Sequence, residues 1–399
     1  MDTAIFKDIK TPAYVIDENK LTDNLKILRD VENATGCHIL LAQKAFSAYA
    51  EYPLIGQYIS GTTASGLYEA RLGKEEMNKE NHVYAPAYKQ EDMDELVKIC
   101  DHIIFNSVGQ LKKYKKQCLD AGVSIGIRVN PEVSTQGEHA IYDPCARGSR
   151  LGVTIAALKK GLDEDRNLLD GVDGLHFHTL CEQNSDDLKV TLDGVEEKFG
   201  EYMHDRKWIN MGGGHHITRE DYDVNLLISC IEHVQKTYGV QVYLEPGEAV
   251  ALNAGYLVTE VLDKVDNDIT TLILDASAAC HMPDVLEMPY TPPLYDASIV
   301  KTDIAKTGET VDAGVESNKK EYIYRLSSYT CLAGDIIGDY EFSHEINIGD
   351  RLIFMDMAIY SMVKNNTFNG MPLPSIAVLK DGKIRVIKEF GYEDFKCRL

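Results

Sequence analysis

Several groups that are capable of chemistry stand at the ends of short β-rich runs. Lys44, His178 and Glu245 each end or follow such a run, as do the glycines at 212–214 and Gly247. A deprotonated lysine attacks carbonyl carbons, and a carboxylate can keep a pyridine nitrogen protonated. Glycines let backbone N–H groups approach a phosphate closely. Together these groups predict a site for a phosphate-bearing cofactor with a carbonyl group and a ring nitrogen.

The elements that would position these groups alternate between strands and helices. Eight β-rich runs occur at 38–42, 58–61, 82–85, 102–105, 123–129, 172–178, 207–211 and 240–244. Helix-like stretches such as 90–100, with apolar residues on one face, lie between most of them. This alternation predicts an α/β fold, a (β/α)8 TIM-like barrel with its active site at the carboxyl ends of the strands. A doubly wound open sheet is the alternative.

Each signal has an ordinary structural interpretation when it is taken alone. A lysine at a strand end is usually solvated, and a histidine there is more often structural than catalytic. Three consecutive glycines usually form a turn, and the spacing at 212–214 is not that of a dinucleotide-binding motif. The functional interpretation therefore rests on the convergence of these groups at one rim of the predicted barrel.

The pattern changes after Val261, where strand-like runs follow one another without helices. The runs are 270–277, 321–327, 345–355 and 375–390. Asp381-Gly382 divides the last of these and predicts a tight hairpin. We therefore expect residues 21–261 to form the barrel. Residues 1–20 and 262–399 should form an all-β, Greek-key-like barrel domain, in which the opening strand at 11–16 pairs with C-terminal strands.

Charge and composition narrow the class of partners. The formal net charge is −22, which favours attraction of small cations and disfavours nucleic acids and anionic membranes. No apolar run reaches the roughly 18 residues of a membrane helix, and the first residues lack a signal-peptide pattern. Nine cysteines without a CxxC pair indicate reduced thiols. We expect a cytoplasmic enzyme with a small-molecule substrate, no nucleic-acid or membrane partner, and no metal.

Longer motifs resemble those of one enzyme family. They are LAQKAFS at 41–47, GLHFHTLCEQ at 174–183, INMGGGHH at 209–216, LEPGEA at 244–249, HMPDVLEMPY at 281–290 and CLAGDIIGDY at 331–340. With them the chain resembles, from residue 11 to residue 370, the alanine-racemase-fold (fold type III) decarboxylases that use pyridoxal 5′-phosphate (PLP). The motifs are most similar to the branch that acts on carboxynorspermidine or carboxyspermidine in polyamine biosynthesis. The resemblance implies a homodimer with shared active sites.

The resemblance also implies roles for individual residues at the cofactor. Lys44 would carry PLP as a Schiff base, and Glu245 would pair with the pyridinium nitrogen. His178 would stack on the ring, whereas we expect His176 to point away along an alternating strand. Arg128 would support the ring oxygen of PLP or the lysine. The phosphate would be held by Gly212, Gly213, Gly214, Gly247 and Tyr360.

The substrate side of the site is implied in the same way. Cys331 would reach into the neighbouring subunit's site and donate a proton to the substrate α-carbon, and Phe368 and Asn369 would lie at that interface. Glu248 stands where ornithine-type enzymes carry an arginine that contacts phosphate. The carboxylates expected to bind the ammonium groups of a carboxylated polyamine are Asp335, Glu248, Asp284 and Glu287.

Other functions remain open at this stage. A decarboxylase of another basic or dicarboxylic amino acid, such as diaminopimelate, would share the cofactor set. A racemase on this fold would set an arginine rather than Glu245 against the ring nitrogen. A metal-dependent hydrolase could use the pair His176 and His178, although the further acidic ligands are missing. A decarboxylase-like regulator would lose the lysine or the glycines.

Overall fold

A computed structural model describes residues 3–137, 142–300 and 322–399. The chain divides into two compact units. One unit is Thr22–Val250, here called the barrel. The other, here called the β domain, combines Met1–Leu21 with Ala251–Leu399.

The strands and helices of the described residues follow in chain order. The strands are β1 (Ala13–Asp17), β2 (His38–Ala42), β3 (Gly61–Ala64), β4 (Glu80–Tyr84), β5 (His102–Phe105), β6 (Ser124–Arg128), β7 (Gly174–His176), β8 (Trp208–Asn210), β9 (Gln241–Leu244), β10 (Gly255–Asn267), β11 (Ile269–Leu274), β12 (Ala297–Ile299), β13 (Tyr322–Ser328), β14 (Ile336–Phe342), β15 (Arg351–Met355), β16 (Ser375–Lys380) and β17 (Lys383–Lys388). The α-helices are α1 (Glu18–Thr35), α2 (Tyr52–Ile55), α3 (Leu67–Leu72), α4 (Gln90–Ile99), α5 (Val108–Asp120), α6 (Ile155–Glu164), α7 (Ser185–Met203), α8 (Val224–Tyr238), α9 (Glu248–Ala251), α10 (Ala278–His281), α11 (Asp284–Glu287), α12 (Ser361–Lys364) and α13 (Tyr392–Lys396). None of these helices is both long and apolar enough to cross a membrane.

Strands β2 to β9 close into a parallel barrel, and β9 pairs with β2. The predicted (β/α)8 barrel is therefore confirmed. The second predicted run, 58–61, is displaced: β3 begins only at Gly61. The displacement arises because Tyr58 still belongs to a turn, in which its N–H donates to the Ile55 carbonyl at 2.9 Å.

The barrel helices begin at the polar residues that suit a helix start. The Ser107 hydroxyl accepts a hydrogen bond from the Gln110 N–H at 3.1 Å at the start of α5. The Asp223 carboxylate does the same for the Leu226 N–H at 2.9 Å at the start of α8. Each such cap stabilises a helix by about 1 kcal/mol. These caps fix where α5 and α8 begin. They therefore also fix where the loops before these helices end.

The β domain is one sheet with the strand order β12-β14-β13-β11-β10-β1-β16-β17, and β15 also pairs with β10. β1 runs antiparallel to β10 and parallel to β16, so the opening strand pairs with C-terminal strands as expected. The hairpin between β16 and β17 turns at Asp381 and Gly382, with φ values of 48° and 74°. Two consecutive positive φ values are typical of a type I′ turn.

Two sequence-based boundaries in the β domain differ from the structure. The division of the chain follows Val250, whereas the expected boundary at Val261 lies inside β10. The strand expected at 345–355 starts only at Arg351. Before it the chain turns at Gly349, where φ is +89° and the N–H donates to the Val261 carbonyl at 2.8 Å. A turn in the middle of the predicted run shortened the strand.

One tryptophan fills the barrel where two strands carry glycine. The Trp208 indole N–H donates to the Ser124 hydroxyl at 2.9 Å, and the ring lies against Gly126 and Gly174. A Cβ atom at either glycine would overlap the indole. The two glycines therefore let β6 and β7 approach the ring.

We predict that Gly174→Ala destabilises the barrel by about 1–3 kcal/mol, because the added methyl group overpacks a closed core. The measurement is the urea unfolding midpoint. Gly109→Ala in α5 is the matched control, since a Cβ there meets nothing closer than 3.8 Å and alanine favours a helix. A Gly174→Ala midpoint equal to that of wild type would contradict the tight fit.

Candidate active site

Lys44 follows β2 and extends into a cavity of about 680 Å³ at the carboxyl ends of the barrel strands. Its side chain stays accessible within the cavity although protein atoms surround it. This enclosure, and secondly the charge of Arg128, lowers the pKa of the Lys44 amino group below its ordinary value. The negative charge of Glu245 raises the same pKa, but by less. The lowered pKa enlarges the fraction of neutral amine, which is the nucleophilic form.

Glu245 follows β9 and lies against the same cavity. One of its carboxylate oxygens accepts hydrogen bonds from the Thr63 hydroxyl at 3.0 Å and the Asn210 amide at 2.8 Å. The other lies 3.2 Å from His176 Nε2. Burial by itself raises the pKa of Glu245, but the contacts with His176 and Asn210 outweigh it and lower the pKa. Glu245 is therefore an ionised carboxylate, as a partner for a protonated ring nitrogen must be.

Both His176 and His178 line the cavity, so the expectation that His176 points away is wrong. His178 follows β7 two residues after His176, and residues two apart in an extended chain project to the same side. His178 Nδ1 accepts a hydrogen bond from the Gly213 N–H at 2.8 Å. Burial, followed by the charge of Lys44, lowers the pKa of His178. A neutral imidazole at this place can face an aromatic ring without adding charge.

Arg128 is buried at the end of β6 and links two walls of the cavity. Its guanidinium donates to the His178 carbonyl at 3.2 Å and lies 4.7 Å from the centre of the Tyr84 ring. Arg147 and Arg150 line the same cavity from the segment after β6. The cavity thus carries three arginines, which suits an anionic ligand such as a phosphate or a carboxylate.

The glycine turn after β8, at Gly212, Gly213 and Gly214, packs closely against neighbouring backbone carbonyls. A Cβ at Gly212, Gly213 or Gly214 would overlap a backbone carbonyl, and φ is +71° at Gly212 and +82° at Gly214. Only glycine fills these positions without strain. The Gly212 N–H donates to the Asn210 side chain and the Gly213 N–H to His178. A phosphate bound to those two N–H groups would have to replace these bonds.

Two further barrel residues named from the sequence lie beside this turn. Gly247 packs so closely on Ala45 that a Cβ there would overlap it. The Glu248 carboxylate lies 3.0 Å from His216 Nε2, and both side chains are largely buried. Arg219 contacts the other His216 nitrogen at 3.4 Å. Glu248 is thus tied to a histidine, in the place where ornithine-type enzymes are expected to carry an arginine.

Cys331 and Asp335 lie in the β domain on the segment between β13 and β14. Cys331 is exposed, and its N–H donates to the Asn369 side chain at 3.0 Å. Asp335 is buried and accepts four hydrogen bonds. The donors are the Ser277, Ser328 and Thr330 hydroxyls at 2.6, 2.7 and 2.6 Å and the Ala279 N–H at 3.2 Å. These contacts fix the segment that carries Cys331.

Asp284 and Glu287 of α11 share one cation. The Lys364 ammonium contacts Asp284 and lies 3.0 Å from Glu287. Tyr360, just before α12, has a φ of 53°, which is uncommon for a bulky residue. Asp284, Glu287 and Tyr360 lie in the β domain together with Cys331 and Asp335. Lys44, Glu245 and the glycine turn lie in the barrel.

The sequence did not point to Thr63 or Asn210, the residues that hold Glu245. Asn210 carries a usable signal, because it is the last residue of β8 and stands two positions before Gly212, where the glycine turn begins. Thr63 carries none, since its strand was placed three residues too early. Asp143 also lines the cavity without having been predicted. The loop that bears it shows no pattern that points to the cavity.

A family model described as pyridoxal-dependent decarboxylase, C-terminal sheet domain, matches residues 13–358. The chain belongs to this family. The expected cofactor, PLP, and the expected reaction class, decarboxylation, are thereby confirmed, and the protein is an enzyme. The donor set described above fits PLP: an amine of lowered pKa, an ionised carboxylate, and a glycine turn with arginines nearby.

Individual relatives match along nearly the whole chain. A carboxynorspermidine/carboxyspermidine decarboxylase of Campylobacter jejuni is 40% identical over 98% of this chain and 99% of the relative. A carboxyaminopropylagmatine decarboxylase of Synechocystis sp. is 39% identical over 98% of this chain and 96% of the relative. The crystal structure of carboxynorspermidine decarboxylase from Campylobacter jejuni, complexed with norspermidine, matches with a TM-score of 0.88 at 40% identity. That match covers 98% of this chain and 100% of the other.

We predict that Arg128→Gln moves the pH dependence of PLP uptake by the cofactor-free decarboxylase to higher pH. Arg128 lowers the pKa of Lys44, so removing its charge raises that pKa, and neutral amine then forms only at higher pH. The measurement is the rate of covalent PLP attachment against pH. Arg147→Gln is the control. An unshifted profile for Arg128→Gln would show that Arg128 does not tune the lysine.

Proposed function

We propose that this decarboxylase removes CO₂ from carboxynorspermidine or carboxyspermidine and forms norspermidine or spermidine in polyamine biosynthesis. The observation that carries the proposal is the match at 40% identity to the Campylobacter jejuni enzyme over almost the entire chain. The norspermidine in the related crystal structure supports a polyamine substrate. Carboxyaminopropylagmatine is the second candidate, because the Synechocystis relative is nearly as similar.

The proposed roles of the barrel residues follow from their contacts. Lys44 holds the cofactor covalently, since its amine lies in the cavity with a lowered pKa. Glu245 keeps a ring nitrogen protonated, His178 faces the ring, and the backbone at the glycines 212–214 and at Gly247 borders the phosphate. PLP, when bound, supplies an electron-withdrawing ring that accepts the electron pair released as CO₂ leaves.

The proton that replaces CO₂ is proposed to come from Cys331 of the neighbouring subunit. The thiol is exposed, and the exposed Phe368 lies next in sequence to Asn369, which binds the Cys331 backbone. Such a pattern suits an interface in a homodimer with shared sites. The four hydrogen bonds that Asp335 already accepts favour a role in positioning the Cys331 segment over direct contact with a substrate amine.

A polyamine substrate needs carboxylates for its distal ammonium groups. We propose Asp284 and Glu287 for this role, because the pair already binds the ammonium of Lys364. Glu248 remains a further candidate, although its carboxylate is bonded to His216. The net charge of −22 would raise the local concentration of a polycation, most strongly at low salt. A cytoplasmic location is part of the same proposal.

The first test of this function is spectroscopic. We expect the purified protein with PLP to show a visible absorption band that borohydride removes while fixing the cofactor to the peptide containing Lys44. Lys44→Ala should lack both the band and the label. Lys207→Ala is a matched control, since Lys207 is an exposed barrel lysine paired with Asp173. A label on another lysine would reject the assignment of Lys44.

The second test concerns the substrate. CO₂ release should be measured with carboxynorspermidine, carboxyspermidine, carboxyaminopropylagmatine and diaminopimelate at equal concentrations. We expect kcat/KM to be highest for the carboxylated polyamines. The first two differ by one methylene group, so their kcat/KM values should differ by about 10–200-fold at most. A preference for diaminopimelate would overturn the proposed substrate.

A third test addresses the shared site. Lys44→Ala and Cys331→Ala should each be nearly inactive alone. A 1:1 mixture of the two, allowed to exchange subunits, should recover about a quarter of wild-type activity, because half of the dimers then hold one intact site. Co-purification of both variants through an affinity tag carried on only one of them measures exchange alone. Absence of recovery between Lys44→Ala and Cys331→Ala despite proven exchange would place both residues in one subunit's site.

A further inference from the structure

A second cluster of ionisable side chains occupies the opposite end of the barrel from Lys44. Glu80 and His102 are the first residues of β4 and β5, and His82 is the third residue of β4. His38, the first residue of β2, lies beside them. The strands are parallel, so these residues lie at the amino ends, while Lys44 and Glu245 lie at the carboxyl ends. Barrel interiors are ordinarily filled by branched aliphatic side chains, and a carboxylate with three imidazoles needs an explanation.

The spacing of three of these groups suits a metal ion. One ligand atom from each of Glu80, His82 and His102 lies within 4.8 Å of the other two. A Glu80 oxygen is 3.0 Å from His82 Nε2 and 4.0 Å from His102 Nε2. Ligands bound at about 2.1 Å to a tetrahedral zinc ion lie about 3.4 Å from one another. The observed separations bracket that distance. The His82 and His102 rings stack with centroids 4.0 Å apart and an interplanar angle of 26°, so one of the two rings must turn for both to face the same ion.

His102 supplies the independent observation. The side chain is about nine-tenths buried. Its Nδ1 atom is buried and has no hydrogen-bond partner among the residues that the structure describes, whereas Nε2 lies 4.0 Å from a Glu80 oxygen. The His82 Nδ1 atom is likewise buried without a partner. Unpaired buried polar atoms are costly, at roughly 1–3 kcal/mol each. A metal ion bound at Nδ1 of His102 would remove the cost for that atom.

The surroundings provide the other features of a metal site. His38 Nδ1 lies 2.8 Å from the second Glu80 oxygen, and the Tyr243 hydroxyl donates to the first at 2.8 Å. Such contacts orient a ligating carboxylate. A cavity of about 620 Å³ opens onto His102 and Tyr243 and offers an entry path with room for a water molecule.

We propose that Glu80, His82 and His102 bind a divalent transition-metal ion of the zinc type, with His38 orienting the carboxylate and water from the adjacent cavity as the fourth ligand. Imidazole nitrogens with one carboxylate oxygen are ligands that zinc prefers. The site is structural: it joins β4 to β5 at the amino end of the barrel, away from the cofactor. It does not depend on which substrate the enzyme uses.

The test uses the PLP-loaded protein, freed of metal with a chelator and then titrated with zinc. We expect one equivalent to bind per chain, with a rise in melting temperature. Cobalt(II) in place of zinc should give visible absorption bands typical of a low coordination number. The double variant His82→Gln, His102→Gln should bind zinc at least about 100-fold more weakly and lose the rise in melting temperature.

Two sets of variants make the outcome decisive. Glu80→Gln keeps the shape and hydrogen-bonding capacity of the side chain but removes its charge, and it should also weaken zinc binding. It therefore tests the proposal even if the double variant fails to fold. Replacing the barrel histidines His204 and His233 by glutamine is the control and should leave binding unchanged. Zinc that binds equally well to Glu80→Gln, or that is lost only when the exposed Cys331 and Cys397 are replaced, would overturn the proposal.

Discussion

The buried carboxylate of Glu245 is the interaction on which the barrel site depends. Its partners come from three other strands: Thr63 in β3, His176 in β7 and Asn210 in β8. An ionised carboxylate without such partners would cost several kcal/mol in the interior. Each hydrogen bond to the charged group returns about 1.5–3 kcal/mol. The carboxylate therefore persists only because closure of the barrel brings these donors together.

The same constraint sets the state of the lysine. Glu245 raises the pKa of Lys44, whereas burial and Arg128 lower it, and the lowering prevails. Burial is the largest cause, because it disfavours the charged ammonium, and the positive charge of Arg128 adds to it. One barrel thus combines an ionised acid with a lysine that loses its proton readily.

The sequence predicted the parts of this site that depend on chain order. Lys44, His178, Glu245 and the glycine turn each follow a strand, and the end of a strand can be located from alternating apolar residues. What the sequence could not predict is pairing across the barrel. Thr63 reaches Glu245 from a strand 182 positions away, and no local pattern marks it. The expectation for His176 failed for a different reason. Residues two apart in an extended chain point to the same face, but His176 and His178 were expected on opposite faces.

The distribution of charge between the two units bears on how a polyamine would be recognised. Two carboxylates, Glu245 and Asp143, line the barrel cavity. Both oxygens of Glu245 already have hydrogen-bond partners within the barrel. The arginines there suit the carboxylate end of a substrate and the phosphate of PLP. Distal ammonium groups then need acids that the barrel hardly provides. The proposal that Asp284 and Glu287 bind such groups rests on the ammonium of Lys364, which this pair of carboxylates already binds.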